Sequence, residues 1–274
     1  YLKYKVIDAF APYLSDEFAN ANFELYQKHL AGFPEMKPRW KRGVNLVAGA
    51  GTGFGALGDA IGELYVQKYF KPEAKAQMEE LVQNLLKAFE QSIDELTWMT
   101  DATKAKAQAK LEKIDTKIGY TEKWRDYSKL NVDPEDLIGN VKASSRVEYF
   151  RNVDKLGKPI DRQEWGMTPQ TVNAYYNPPK NEIVFPAAIL QPPFFNPDTE
   201  DALNYGGIGA VIGHEISHAF DDQGRKVDEK GENRDWWTPE DAAQYEALAQ
   251  RIVAQYEQFE PIEGLPLNGK LTLG

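Results

Sequence analysis

The sequence predicts a mainly α-helical chain whose second half adds a smaller α+β part. Apolar residues recur at helical spacing from the N-terminus to about Lys117. After Gly119, prolines, aromatic residues and short β-prone runs replace that pattern. We therefore expect a helical domain at residues 1–118 and a second, mixed domain at residues 119–274.

The longest helix is predicted between Pro72 and Leu96, because its apolar residues form one stripe with spacings of three and four. Pro72 suits the first turn of that helix. Residues 101–114 repeat the pattern more weakly, with many Ala and Lys, which predicts a charged surface helix. The stripe of the long helix consists of Met78, Leu81, Val82, Leu85, Leu86, Phe89, Ile93 and Leu96.

Two strands and one further helix are predicted in the second half. Residues 171–176 and 182–185 have the composition of strands, and the proline-containing segment 177–181 joins them as a turn. Thr238, followed by Pro239 and two acidic residues, marks the start of a helix, with a hydroxyl at the N-cap and proline at the first helical position.

Composition excludes several classes of protein. The chain has 274 residues, of which 42% are hydrophobic and 27% charged, as in ordinary globular domains. Its net charge of −10 and its scattered Lys and Arg argue against a nucleic-acid or anionic-membrane partner. No apolar run approaches the roughly 18–20 residues that a membrane span requires. The absence of cysteine excludes disulfides, thiolate nucleophiles and Cys-based metal sites.

A glycine-rich segment lies among the first helical runs. Gly53, Gly55 and Gly58 match the G-x-G-x-x-G pattern of dinucleotide-binding loops, with residues 44–47 as a possible preceding strand. That fingerprint also requires a second strand about 20 residues further on. The long predicted helix occupies that region, so we favour a flexible loop over a nucleotide site.

The segment His214-Glu-Ile-Ser-His218 indicates a metal site. On a helix, positions i and i+4 lie one turn apart on one face, so both imidazoles can bind one ion. Glu215 points to the side, within reach of a water on that ion. This is the H-E-x-x-H pattern of zinc hydrolases, in which a carboxylate accepts a proton as the water attacks a carbonyl. The alternative is a pair of ordinary histidines on an amphipathic helix.

The residues around this motif favour the metal site. Neighbouring apolar residues predict a largely buried helix, and buried imidazoles need partners. Asp221 follows His218 by three residues and lies on the same face, so it is our candidate to accept the other N–H of a ligating histidine; the alternative is a plain helix-end acid. Gly224 is a natural helix stop. Tight packing is one reason for the four glycines at the start of this helix, Gly206, Gly207, Gly209 and Gly213.

A third protein ligand is needed, and the residues alone do not identify it. The metzincin pattern is excluded, because it requires Gly at position 221 and His at position 224, where this chain has Asp221 and Gly224. Glu240 and Glu246 lie at plausible distances along the chain. Neither has the Asp four residues later that commonly supports such a ligand.

Three motifs in order resemble the neprilysin family of zinc metalloendopeptidases, the gluzincins with a thermolysin-like catalytic domain. They are Val172-Asn-Ala-Tyr-Tyr176, Ile189-Leu-Gln-Pro-Pro-Phe-Phe195 and Gly213-His-Glu-Ile-Ser-His-Ala-Phe-Asp-Asp222. Segments 40–42, 64–66, 96–99 and 117–120 are similar to the family's helical lobe. The resemblance covers most of the chain. It implies a two-lobed fold with a helical lobe and a thermolysin-like catalytic half that has a small β-sheet.

The resemblance also implies roles for individual residues. His214 and His218 would bind one zinc ion, Glu215 would be the general base, and Asp221 would orient a histidine. Asn173 and Ala174 would hold the backbone of an oligopeptide substrate, in agreement with strand addition at an exposed edge. The residues that would line an apolar pocket for the residue after the scissile bond are Ile189, Phe194 and Val211; plain core positions are the alternative.

In the neprilysin family the third zinc ligand is a Glu in a Glu-x-x-x-Asp motif beyond the second histidine. This chain has no such motif among the 56 residues that follow His218. We therefore expect it to be a central fragment of a bacterial-type member, completed by a companion C-terminal segment of the same polypeptide.

The expected activity is zinc-dependent hydrolysis of oligopeptides on the amino side of hydrophobic residues. The alternative is a non-catalytic segment that binds peptides or a partner through the same groove. The resemblance favours a periplasmic or extracellular location, with the cytoplasm as the alternative.

Overall fold

The computed structural model describes residues 1–49 and 55–273. Within these ranges the fold is mainly α-helical with one small sheet, as predicted. The helices are α1 (Leu2–Phe10), α2 (Asp16–Asn22), α3 (Arg39–Ala48), α4 (Gly58–Tyr69), α5 (Pro72–Glu95), α6 (Asp101–Glu112), α7 (Leu137–Val153), α8 (Asp201–Gly206), α9 (Ile208–Ser217) and α10 (Pro239–Tyr256). The strands are β1 (Asp115–Gly119), β2 (Tyr175–Asn177) and β3 (Glu182–Pro186).

Contacts group the chain into two compact units that are both discontinuous in sequence. The first comprises Tyr1–Tyr65 and Thr121–Thr168, and the second comprises Val66–Tyr120 and Pro169–Gly274. One border, between residues 120 and 121, lies close to the domain boundary expected at residues 118 and 119. The second unit is discontinuous because its strands β1 and β3 pair with each other although residues 121–168, which belong to the first unit, lie between them in the sequence. The domain boundary itself stays a prediction.

The sheet of the second unit has the order β1-β3-β2. β1 runs parallel to β3, with Lys117 opposite Val184, and β2 runs antiparallel to β3, with Tyr176 opposite Ile183. Every residue of β3 is buried, as is typical of a central strand covered on both faces. In this order β2 lies at an edge of the sheet. β2 is shorter than the strand predicted at residues 171–176, since it begins only at Tyr175, and the turn into β3 begins at Pro178 within the predicted proline-containing segment.

Helices α5 and α9 form much of the core of the second unit. The predicted stripe of α5 is confirmed, since Met78, Leu81, Val82 and Ile93 are buried. On α9, Ile208, Ile212 and Ile216 follow one another at every fourth position and are fully buried. Burial of each such side chain stabilises the fold by about 2 kcal/mol, so this apolar row fixes the rotation of α9 about its axis.

Two sequence-based expectations about local structure were wrong, and one helix was missed. Residues 115–119 form β1 instead of extending the helical region, because pairing with β3 overrides the local helical pattern. α7 was not predicted, and its residues form no buried stripe that the sequence could have shown. α6 is more than a surface helix, since Thr103, Ala107, Lys110 and Leu111 are buried on one side.

The glycine-rich segment lacks the surroundings of a dinucleotide site. Residues 44–47 lie within α3 and do not form a strand. The region about 20 residues after the glycines is α5, as expected. Gly58 begins α4, whereas Gly53 lies outside the described residues. These elements argue against the nucleotide interpretation.

A buried ion pair organises part of the first unit. Arg125 Nε lies 3.1 Å from Asp59 Oδ2, and the Tyr127 hydroxyl accepts a hydrogen bond of 3.2 Å from the backbone N–H of Asp59. Burial raises the pKa of the Asp59 carboxyl, and the charge of Arg125 opposes that shift.

Within the described ranges, no helix of either unit combines the length and apolarity that crossing a membrane requires.

The start of α10 confirms the predicted cap and leads to a test by pH. The Thr238 hydroxyl oxygen accepts a hydrogen bond from the Asp241 N–H. The Asp241 carboxylate in turn accepts hydrogen bonds from the hydroxyls of Thr238 (2.7 Å) and Thr100 (2.6 Å). Burial raises the pKa of this carboxyl, but the hydrogen bonds outweigh burial and hold its pKa at about 2. Its contribution to stability is therefore present above pH 4 and is lost as the pH falls towards 2.

We expect Asp241→Asn to lower the free energy of unfolding by about 2 kcal/mol at neutral pH. The difference from the wild type should shrink as the pH falls from about 4 to 2, because the wild-type carboxylate is then protonated. Denaturant unfolding of both proteins across this pH range measures the difference. Glu240→Gln, an exposed acid in the same helical turn, is the matched control. A difference that stayed constant down to pH 2 would contradict the assignment.

Candidate metallopeptidase site

Helix α9 brings the two motif histidines together at its C-terminal end. His214 lies in the last turn and His218 directly follows the helix as its cap. Their Nε2 atoms are 3.0 Å apart, and their ring centroids are separated by 4.4 Å. His214 is exposed and His218 is half-buried, so the helix is less buried at its histidines than the sequence indicated. The Nε2 atoms of His214 and His218 therefore converge on one point beside the helix end.

The chain turns after His218 and places Asp221 against the far side of its ring. Asp221 Oδ2 lies 2.6 Å from His218 Nδ1. The other oxygen, Oδ1, accepts hydrogen bonds from the backbone N–H groups of Gln223 (2.9 Å) and Gly224 (2.6 Å). A carboxylate at Nδ1 favours the tautomer that carries its proton there, which leaves the Nε2 lone pair free for a metal.

Glu215 lies on the inner side of α9, with 5% of its surface exposed. Burial raises the pKa of its carboxyl, while the charges of His214 and His218 and the backbone N–H of Tyr176 lower it. Tyr176 belongs to β2, so the carboxylate lies between the metal-site helix and the edge strand.

The two histidines fit a zinc ion. Nitrogen atoms bound to one tetrahedral zinc at about 2.0–2.1 Å are themselves about 3.3 Å apart, close to the observed separation. Within residues 1–49 and 55–273, no group of three or more His, Asp and Glu side chains could hold a metal ion. Glu240 and Glu246 are both exposed, and Glu246 instead pairs with Arg225 at 3.2 Å.

The five expected substrate-binding residues fall into two groups. Asn173 is exposed and Ala174 is buried, and both directly precede the edge strand β2. The pocket candidates all belong to the hydrophobic cluster of the second unit: Ile189 is buried, whereas Phe194 and Val211 are partly buried against it. The geometry therefore agrees with an edge-strand role for the first group, while core packing remains the alternative for the second.

The structure supports only part of the sequence-based interpretation of these glycines, which invoked tight packing at the start of α9 and a helix stop at Gly224. A Cβ at Gly207 would lie 2.5 Å from Phe194 O, whereas a Cβ at Gly206 or Gly213 would have no neighbour within 4 Å. Tight packing thus explains only Gly207 of these three. Gly224 does not end α9, which stops at Ser217. Glycine is needed at position 224 because the backbone approaches closely there: a Cβ would lie 1.8 Å from His218 O.

Lys110 is the main residue of this region that sequence reasoning missed. It lies in α6, is 1% exposed, and its Nζ reaches the backbone of the turn after His218. In the sequence it is one of many lysines in a weakly amphipathic segment. No local signal distinguishes it from its solvent-exposed neighbours.

A helix with two histidines one turn apart, a buried glutamate beside them and an edge strand nearby defines the class of zinc-dependent metallopeptidases. Two models of peptidase family M13 match the chain, one over residues 1–121 and the other over residues 173–274. The chain belongs to peptidase family M13.

Relatives and solved structures agree with this family. The chain is 40% identical to a neutral endopeptidase of Lactobacillus helveticus, covering 98% of this chain and 41% of the relative. It is 37% identical to human neprilysin, covering 91% of this chain and 34% of the relative. The crystal structure of Mycobacterium tuberculosis zinc metalloprotease Zmp1 in complex with an inhibitor superimposes with a TM-score of 0.91 at 49% identity, covering 98% of this chain and 41% of that chain.

The chain thus spans less than half the length of these relatives. The comparisons confirm the neprilysin-like family and the mainly α-helical fold with a small sheet. Because both matching models are peptidase models and the relatives are named as peptidases, the comparisons do not favour the non-catalytic alternative.

Proposed function

We propose that this chain forms the central part of a zinc-dependent endopeptidase that hydrolyses oligopeptides. The observation that carries the proposal is the convergence of His214 Nε2 and His218 Nε2, 3.0 Å apart, beside the buried Glu215. The family membership and the names of the relatives support it. One zinc ion per site would be held by the two histidines, with Asp221 orienting His218 through its Nδ1.

A bound zinc supplies Lewis-acid activation of a water and of the substrate carbonyl. The protein supplies the proton transfers. The Glu215 carboxylate accepts a proton from the attacking water and passes it to the leaving amine. Burial raises the pKa of this carboxyl, which strengthens it as a base. Its contact with the Tyr176 N–H holds the carboxylate next to the strand along which a peptide would lie.

The substrate would bind as an additional strand at the edge that begins with Asn173 and Ala174. Extended peptides bind exposed sheet edges through main-chain hydrogen bonds, and pockets for side chains then give specificity. In this proposal Ile189, Phe194 and Val211 line the apolar pocket for the residue after the scissile bond. Cleavage would then occur on the amino side of hydrophobic residues.

The proposal includes a companion C-terminal segment of the same polypeptide that brings the third zinc ligand. Two observations support it: the relatives are more than twice as long as this chain, and the described residues contain only two converging ligands. We also propose that the protein acts in the periplasm or outside the cell, with the cytoplasm as the alternative. Fractionation of cells that express the natural protein decides between these locations.

The proposed function predicts metal-dependent cleavage by the full-length polypeptide. After incubation with a defined peptide mixture, mass spectrometry should locate the cleavage sites before hydrophobic residues. A chelator should abolish cleavage and added zinc should restore it, because the proposed activity depends on the bound ion and the protein ligands can bind it again. Cleavage that continued after complete removal of metal would overturn the proposal. Cleavage at charged residues would overturn only the assigned pocket.

A further inference from the structure

A buried lysine lies beneath the turn that connects the metal-site helix to Asp221. Lys110 Nζ donates three hydrogen bonds, to the carbonyl oxygens of Ala219 (2.7 Å), Gly224 (2.7 Å) and Val227 (2.6 Å). An ammonium group has three donors, and all three are directed at the backbone of this one segment. Its positive charge also lies at the C-terminal end of α9, where the helix dipole favours a cation.

The contacted carbonyls bracket the residue that orients His218. Ala219 directly follows His218, and the N–H of Gly224 donates to Asp221 Oδ1. Lys110 therefore holds both ends of the turn 219–224. Within this turn the Asp221 carboxylate is held by Gly224 on one oxygen and contacts His218 Nδ1 with the other. A movement of either end would change the position of the carboxylate relative to the imidazole.

The surroundings of the ammonium keep it in this position. Its nitrogen lies 5.8 Å from the ring centroids of Tyr176 and Trp236 and 5.9 Å from that of Phe220. The backbone of α6 is fixed as well, since Asn181 Nδ2 donates to the Lys110 carbonyl at 3.0 Å. Aromatic faces and an anchored backbone leave the side chain little freedom to move.

We infer that Lys110 is a positioning residue, which sets the orientation of the His218 imidazole by fixing the turn that carries Asp221; the inference rests on the proposed function. Lys110 touches neither the substrate nor the metal. It acts through three carbonyls, then through Asp221, and finally through His218.

The role that we assign to Lys110 is the local geometry of the turn 219–224. Burial lowers the pKa of Lys110 to about 8, with the nearby carboxylates of Asp221 and Asp228 opposing that shift. The protonated group thus carries a desolvation penalty that an apolar side chain of similar size removes. The Gly224 and Val227 carbonyls each retain another donor, the Val227 N–H at 3.1 Å and Trp236 Nε1 at 3.0 Å.

The test is the zinc affinity of full-length Lys110→Met, measured by competition with a chromogenic chelator. Loss of a partner behind a metal-binding histidine typically weakens metal binding about 10- to 100-fold, and we expect a loss in this range. Lys106→Met is the matched control. Lys106 lies one turn earlier on α6 and donates to a carbonyl outside the turn, that of Trp236, at 3.1 Å. We expect the control to bind zinc like the wild type.

A double-mutant cycle with Asp221→Asn separates positioning from a general structural role. If Lys110 acts through Asp221, Lys110→Met should weaken zinc binding much less in the Asp221→Asn background than in the wild type. Additive losses would overturn the inference. Hydrogen exchange of metal-free Lys110→Met should also be faster at the amides of Gln223 and Gly224, while the α5 amides remain unchanged.

The remaining outcomes are equally decisive. If Asp221→Asn leaves zinc affinity unchanged, the orienting role of Asp221 fails and the inference about Lys110 fails with it, whereas the proposed metal site of His214 and His218 stands. If Asp221→Asn weakens zinc binding but Lys110→Met does not, only the role of Lys110 fails. Lys110→Gln keeps an amide group with two N–H donors and is measured in parallel. Failure of both Lys110 variants to fold would contradict the inference, because it assigns to this residue the local geometry of the turn.

Discussion

Glu215→Gln is expected to lower kcat for peptide hydrolysis by about 10³-fold, the range that general acid–base catalysis typically contributes. Glutamine has the same shape as glutamate but cannot accept a proton from water. Glu215 is 5% exposed, and its carboxylate accepts a hydrogen bond from the Tyr176 N–H of the edge strand, so we expect the substitution to leave the two histidines in place. Zinc content and peptide binding should therefore stay close to those of the wild type. The measurements are steady-state hydrolysis of a fluorogenic peptide, metal analysis and peptide binding on the same preparation.

Glu246→Gln is the matched control for this experiment. Glu246 is the same residue type on α10, is exposed, and was one of the two sequence-based candidates for the third zinc ligand. Within the described residues, Glu246 does not join the two histidines in a group that could hold a metal ion, so we expect zinc content and kcat to remain unchanged. Hydrolysis that survived in Glu215→Gln would contradict the assigned base. Loss of zinc in Glu246→Gln would instead restore Glu246 as a ligand.

Gly224→Ala is expected to weaken both zinc binding and the fold around the site. The added Cβ would lie 1.8 Å from His218 O and 2.7 Å from the carbonyl carbon of Ala219. Both are backbone atoms, so the turn must move, and Asp221 and His218 move with it. We expect a loss of about 2–4 kcal/mol in the free energy of unfolding, typical of a substitution that forces the backbone to shift. Zinc affinity should fall by at least about 10-fold.

Gly213→Ala provides the control at the other side of the motif. Gly213 directly precedes His214, yet a Cβ there would meet nothing within 4 Å. Because alanine is a better helix former than glycine, the substitution should stabilise α9 by up to about 1 kcal/mol. Thermal unfolding and chelator competition measure both variants. If the two alanine variants had the same thermal stability and the same zinc affinity, the turn at Gly224 would not be constrained as described.

The sequence predicted the elements that depend on local pattern. The α5 stripe and the Thr238 cap of α10 were correct, because each is decided by residues within a turn or two of one another. β1 and α7 were missed for the opposite reason. β1 becomes a strand through its pairing with β3, more than 60 residues later, and α7 has no buried stripe.

The residues of the candidate site also fall into two groups: those that the local sequence predicts and those that only the packing of distant elements brings together. The spacing in His214-Glu-Ile-Ser-His218 by itself determined that both imidazoles lie on one helical face, because helix geometry fixes this distance. Asp221 was expected on the same helical face, but α9 ends at Ser217 and the turn after His218 brings Asp221 to the imidazole. Only the tertiary structure decided that Glu215 is buried beside β2, and that Lys110, 109 residues before Ala219 in the chain, holds the turn after His218. Burial and backbone contacts over such separations arise when elements pack together, and no periodicity within one element encodes them.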